Sequence, residues 1–357
     1  MNGFFSRKKK EQVDEVNKPL ENTKSSNIMV FGLSNSLPLA EKIVNHLGIE
    51  LSPMRIEKFA DGEIIVAPKV PVRGRDVVLI QSTSKPVNDS LMELLIAIDA
   101  CKRASARKIA VVIPYYGYAR QDRKAKAREP ITGRLVAKMI ESAGATVVLT
   151  WDIHSLQTQG FFDIPFDSLE AVWIIMSKYM DDFRGDPDNI TIVSPDYGCV
   201  KRAREIALAL ECNLAIVDKR RSGNNQVEIN NVLGDVANKD CVIVDDMIDT
   251  GGTILGAAKI VKEKGAKSIT IIATHGLFNK NAKENFKQSI EQKIVDKVYI
   301  SDTIQTTPFE GLEIVSVSEA IAKCIDIYSI GKGSMSFVHD ENSEQILIKK
   351  RNNYGSK

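Results

Sequence analysis

With 357 residues, 43% of them hydrophobic and 26% charged, the chain is long enough for two domains of ordinary size with complete cores. Its net charge of +2 is too small to imply a nucleic-acid partner, and no apolar run reaches the roughly 18 residues of a membrane helix. The five cysteines are widely spaced with no CxxC pair, which argues against a disulfide framework or zinc site and for a reducing cytoplasm.

Residues 1–26 alternate Lys and Glu, lack the apolar segment of a secretory signal, and are expected to form a loose tail. Short β-branched runs then alternate with helical patterns. Strands are expected at 27–33, 76–83, 108–115, 146–152, 190–196, 214–219, 241–246 and 268–275. Many are apolar on both faces, as in parallel strands covered by helices. Helices are expected where Leu39, Ile43, Val44 and Leu47 recur, again at Leu91, Leu94, Leu95 and Ile98, and again at Ile254, Ala257, Ala258 and Val261. This alternation predicts an α/β chain with parallel sheets. Residues 338–357 form a polar tail whose Lys349, Lys350 and Arg351 are expected to be solvated.

The segments beginning at Asp76 and at Cys241 share one order: strand, polar loop, helix, turn, strand. Two similar α/β units in tandem explain the echo. Only the second copy carries an acidic, glycine-rich loop.

That loop is the strongest chemical signal. An apolar strand runs into Asp245 and Asp246, and Asp249, Thr250, Gly251, Gly252 and Thr253 lead into a helix. Unpaired N–H groups and the positive dipole end of a helix N-terminus attract an anion, and the glycines let the backbone approach it. The two acids would repel phosphate but can accept hydrogen bonds from a diol. A sugar phosphate such as ribose 5-phosphate satisfies both halves.

VIVDDMIDTGGT resembles the PRPP-binding signature shared by type I phosphoribosyltransferases and ribose-phosphate pyrophosphokinases. IPYYGYARQDRKAKAREPIT at 113–132, DIHSLQTQGFFDIP at 152–165, ADGEI, QSTSKPVND, VSPDYGCVKRAR and VDKRR resemble the pyrophosphokinase motifs specifically. The resemblance runs from about Asn27 to Val338. It implies an α/β fold of two tandem phosphoribosyltransferase-like domains, each a parallel sheet flanked by helices. These are expected at 27–167 and 168–337, the second carrying the PRPP loop.

It also implies an activity: transfer of the diphosphate of ATP to C1 of ribose 5-phosphate, giving PRPP and AMP. A non-catalytic regulatory homologue and a phosphoribosyltransferase that consumes PRPP are the alternatives. No Walker loop is present, so ATP must be held otherwise. The resemblance assigns ATP to Arg120 and Gln121, and to Phe59, Asp61, Gly62 and Glu63 supplied by a neighbouring subunit. It thereby implies self-association, dimers building a hexamer with a shared active site. Mg²⁺ is expected with the triphosphate, and His154 and Asp196, at two strand ends, are the implied metal pair. Lys219 and Arg221, alternating in the polar, basic stretch 217–229, are the implied catalytic cations, and Arg221 also belongs to the ribose 5-phosphate set with Asp245, Asp246 and Asp249–Thr253.

The sequence departs from the family pattern in places. Cys199 stands where a glycine is usual, Lys58 and Lys126 where arginines are usual, and Ala127 where a serine is common. The last two lie in the stretch resembling the regulatory surface of the class I enzymes. Ser334 and Ser336 match the family's C-terminal serine pair.

Overall fold

The computed structural model describes residues 27–220, 229–330, 348, 350 and 351. Two sheets dominate. The first has the order β1–β4–β5–β6–β7, all parallel: β1 (Ile28–Gly32), β4 (Asp76–Ile80), β5 (Lys108–Ile113), β6 (Val147–Trp151) and β7 (Phe166–Leu169). The interior strands β4 and β6 are buried at every residue, which is why the sequence reads there as mostly apolar runs.

The second sheet has the order β10–β9–β8–β11–β12–β13–β14 among the described residues. Its strands are β8 (Ile190–Ser194), β9 (Asn213–Arg220), β10 (Ile229–Leu233), β11 (Asp240–Ile248), β12 (Ser268–Gly276), β13 (Lys297–Ser301) and β14 (Leu312–Val315). All neighbours are parallel except β10, which returns antiparallel along β9. The eight expected strands are all present. The echoed segments fold alike, as β4–α2–β5 and β11–α6–β12, with α2 at Val87–Arg103 and α6 at Gly252–Glu263.

β11 extends furthest past its expected end. β11 does not end at its two acids but runs through them to Ile248. Met247 and Ile248 are buried and pair with His275 and Gly276 of β12, and that pairing carries the strand onward. The hairpin of β2 (Met54–Lys58) and β3 (Ile64–Pro68) was not foreseen. Its turn is closed by Asp61 Oδ1 accepting from Glu63 N at 3.0 Å, with Gly62 at φ 97°.

Helices cover both faces of both sheets. α2 and α3 (Thr132–Ala143) pack on one face of the first sheet with the β2–β3 hairpin. In the second sheet α6 and α7 (Ala282–Glu291) cover one face; α4 (Val172–Asp182) and α5 (Val200–Ala209) cover the other. The remaining face of the first sheet is covered by α1 (Leu37–Leu47) together with α8 (Ser318–Ile330), the last long helix among the described residues. Ile321, Ala322, Cys324 and Ile325 of α8 bury themselves against Leu39, Ala40, Ile43 and Val44 of α1. Lys42 pairs with Asp302 at 2.8 Å, and His46 Nε2 lies 3.1 Å from Ser318 Oγ. The chain thus returns to finish the core of its first half, although in sequence α8 falls within 168–337.

The expected solvation of the C-terminal basic cluster does not hold at Lys350 and Arg351. Lys350 Nζ donates to Ser177 Oγ at 2.7 Å and reaches Asp181 at 2.5 Å, while Arg351 pairs with Asp188 at 2.8 Å and Glu211 at 2.5 Å. An acidic edge formed by α4 and the loops near Asp188 and Glu211 attracts them. Lys349 and residues 1–26 lie outside the described residues.

Candidate active site

The strand ends of the two sheets line one cleft of about 680 Å³. Asp152 and His154 arrive from the end of β6, Asp196 and Cys199 from the turn between β8 and α5, and Asp245 and Asp246 from β11 itself. Asp249–Thr253 form the entry to α6, and Arg120 comes from the loop after β5. This is the location open α/β sheets favour for ligands, beyond the carboxyl ends of their strands.

The loop into α6 has the geometry an anion needs. Gly251 takes φ 77°, and a Cβ there would meet Phe286 Cε2 at 2.7 Å, so glycine is required both for conformation and for space. Asp249 is not presented to an anion. Its Oδ2 pairs with Arg120 at 2.6 Å and its Oδ1 accepts from Asn279 Nδ2 at 2.7 Å. Burial opposes its charge, but these two donors outweigh that and hold its carboxyl below the usual range.

The paired acids differ in role. Asp246 Oδ2 accepts from His154 Nδ1 at 2.7 Å. Burial again opposes the charge, and the His154 bond still holds Asp246 low, while the same bond, partly offset by burial, raises His154. Asp245 is pushed up, first by burial and then by the charge of Asp246. Its Oδ1 accepts from Cys199 Sγ at 2.8 Å and from Asp246 N at 2.8 Å. Burial and Asp245 together drive the Cys199 thiol well above its ordinary range. Cys199 is therefore a thiol donor here and not a nucleophilic thiolate.

Several expected site residues converge and others do not. Arg120, His154, Asp196, Asp245, Asp246 and Asp249–Thr253 all line the cleft. His154 and Asp196 are not bonded to each other: His154 turns to Asp246, and Asp196 Oδ1 accepts from Gly198 N at 2.8 Å, closing the turn into α5. Gln121 is absent from the cleft wall and accepts from Thr132 Oγ1 at 2.6 Å. Phe59, Asp61, Gly62 and Glu63 sit at the β2–β3 tip, away from the cleft of their own chain, with Phe59 52% exposed. Lys219 belongs to β9, opposite Asn230 of β10. Arg221, Ser334 and Ser336 lie outside the described residues.

Sequence reasoning missed Arg202, Asn279 and the structural part of Asp152. Arg202 Nη1 lies 3.0 Å from Asp152 Oδ1. Nothing in KRAR distinguishes a buried arginine from surface charge, and the partner is fifty positions distant in sequence.

A fold of parallel sheets with an acidic, glycine-turned loop at a helix N-terminus defines the phosphoribosyltransferase class. Family models agree: residues 28–144 match the N-terminal domain of ribose phosphate pyrophosphokinase, and residues 167–309 match the phosphoribosyl transferase domain. The ribose-phosphate pyrophosphokinase of Ureaplasma parvum is 75% identical over 92% of this chain and 99% of its own length, and that of Mycoplasma genitalium 50% identical over 89% and 96%. The crystal structure of phosphoribosylpyrophosphate synthetase from Mycobacterium smegmatis superposes with a TM-score of 0.79 at 37% identity, covering 86% of this chain and all of that one. The chain belongs to the ribose-phosphate pyrophosphokinase family.

Proposed function

We propose that the chain transfers the diphosphate of ATP to ribose 5-phosphate, and that the cleft described above is where it does so. The observation that carries this reading is the joining, in one wall, of the Gly251-turned entry to α6 with Asp245 and Asp246, faced by Arg120 and His154 from the other sheet.

The 5-phosphate rests on Thr250–Thr253 at the α6 N-terminus, where first-turn N–H groups and the helix dipole favour it. Asp245 and Asp246 accept from the 2- and 3-hydroxyls. The C1 hydroxyl oxygen attacks the β-phosphorus in line. A new C1–O–P bond forms, the bond from that phosphorus to the oxygen bridging to the α-phosphate breaks, AMP leaves with that oxygen, and the hydroxyl proton is released. Lys219 and Arg221 stabilise the charge that grows on the phosphoryl and leaving oxygens, more in the transition state than before it. Arg120 and Gln121 hold ATP, with Phe59, Asp61, Gly62 and Glu63 contributed by a second copy of the chain. The exposure of Phe59 on a hairpin off its own cleft supports such sharing, within a dimer that builds a hexamer.

Mg²⁺ suits the cleft, whose carboxylate oxygens come from several chain segments and match a hard cation. The tight group of Cys199, Asp245 and Asp246 is a poorer match, because a thiol is a soft ligand. His154 and Asp196 are the residues proposed to hold the ion, which when bound neutralises the triphosphate. The division into units at 27–167 and 168–337 follows the echo of the two sheets. A cytoplasmic setting accords with five free cysteines, and no described helix is long and apolar enough to cross a membrane.

Phosphorus NMR of the protein with ATP, ribose 5-phosphate and Mg²⁺ tests the reaction. AMP and PRPP are expected in equal amounts. ADP, or pyrophosphate release from added PRPP and a base, would contradict it.

A further inference from the structure

We infer that Asp152 and Arg202 are positioning residues for this reaction: their ion pair fixes the two halves of the cleft at the spacing the reaction needs. The inference rests on the activity proposed above and adds a role that neither residue's sequence context carries.

Asp152 stands at the end of β6 with φ 38°, a left-handed conformation uncommon outside glycine but easier for aspartate than for most residues, and held here by its surroundings. Those surroundings come from the other half of the molecule. Asp152 Oδ2 accepts from Thr274 Oγ1 of β12 at 2.7 Å and from the Ala171 N–H just before α4 at 2.7 Å. Its Oδ1 faces Arg202 Nη1 of α5 at 3.0 Å. The carboxylate is 0% exposed and the arginine side chain 21%. A charge so enclosed needs a counter-charge, and Arg202, within ion-pair distance though not aligned for a hydrogen bond, supplies one across the joint between the sheets.

Each member of the pair sits beside groups of the proposed site. Two residues after Asp152, His154 reaches across to Asp246. Three residues before Arg202, Cys199 bonds Asp245, and the turn closed by Asp196 opens the same helix. The pair thus ties the His154 segment to the segment bearing Asp196 and Cys199. A neighbouring buried contact joins the same halves: His275 of β12 lies 3.1 Å from Trp151 O of β6 through Nε2 and 2.9 Å from Thr303 Oγ1 through Nδ1. His275 is removed from the cleft wall, whereas Asp152 and Arg202 both line it. Unlike the His275 joint, the ion pair borders the cleft, where it acts beside the His154–Asp246 and Arg120–Asp249 bonds that also cross between the halves.

The test compares wild type, Asp152→Asn and Arg202→Lys in a steady-state assay of AMP formation, run well below each protein's melting temperature. Asp152→Asn keeps the side-chain shape but removes the main counter-charge of Arg202, leaving the weaker influence of Asp246 and Glu170. Its kcat is expected to fall by about tenfold to a hundredfold, the scale of a misplaced reacting geometry, with both KM values within about threefold of wild type. Arg202→Lys keeps the charge on a shorter reach and is expected to lie between. A folded Asp152→Asn with wild-type kcat overturns the inference, as does a loss expressed in KM alone. If Asp152→Asn does not fold, Thr274→Val removes one hydrogen bond to the same carboxylate: a lowered kcat supports the role and an unchanged one overturns it. A wild type that makes no PRPP would instead overturn the proposed activity, and the positioning role with it.

Discussion

At Gly251 two independent constraints meet on one atom that is not there. The backbone is left-handed, and Phe286, fully buried behind it, cannot retreat from a Cβ. Gly251→Ala should therefore cost stability of roughly 1–3 kcal/mol and displace the turn proposed to receive phosphate. Calorimetry should show the lower melting temperature, and the KM for ribose 5-phosphate should rise more than that for ATP. Cys199 shows a different kind of constraint. Where the family pattern has glycine, this chain places a thiol that donates to Asp245, so the substitution enters the hydrogen-bond network of the acids proposed to bind the diol. The identity of these residues was legible in the sequence, because Asp-Thr-Gly-Gly-Thr after an acidic strand has few other physical uses. Their partners were not. His154 and Asp246 are 92 positions apart, and Arg120 and Asp249 are 129 apart. No local pattern encodes which of several acids a given cation will meet.

Among the elements, those with a buried stripe or an unbroken apolar run announced themselves: β4, β6, α1, α2 and α6 all follow the expected periodicities. The β2–β3 hairpin carried a signal too weak by itself to announce a strand pair, a lone Asp-Gly turn. The extension of β11 past its acids depends on pairing with β12, a tertiary effect. That pairing starts at Asp240, whose carboxylate accepts from Ser268 Oγ at 2.6 Å and pairs with Lys267 at 3.0 Å. Burial opposes its charge, yet the bonds from Ser268, Lys267 and Asn189 hold its carboxyl below the usual value. A depressed folded value means stability that is present above about pH 4, the ordinary unfolded range, and is lost as pH falls through the folded value. Asp240→Asn should thus be less stable than wild type at neutral pH. In urea titrations from pH 7 to pH 3 the difference should shrink towards acid; a constant difference would contradict the assignment.

For the whole molecule, the return of α8 to the first sheet matters most. Residues 27–167 alone would leave Val30, Leu39, Ile43, Val78 and Val112 without the apolar cover that Val317, Ile321, Ala322 and Ile325 supply. Such a fragment is expected to aggregate or stay unfolded, as light scattering and circular dichroism would show, although the chain reads as two tandem units. A cooperative, soluble fragment would mean α8 is dispensable. The two-sheet plan was readable from the internal echo; the crossing of α8 was not, because an amphipathic helix does not state which sheet it will cover.

This cleft is proposed to make PRPP with cations from the end of β9 and the residues that follow it. The most direct measurement is the rate of AMP and PRPP formation by wild type and Lys219→Ala, with ribose 5-phosphate binding followed by calorimetry. The wild-type rate is expected to fall by about a hundredfold or more in Lys219→Ala, with sugar phosphate binding nearly unchanged. A wild type that binds ribose 5-phosphate but forms no PRPP, or a Lys219→Ala variant as fast as wild type, would contradict it.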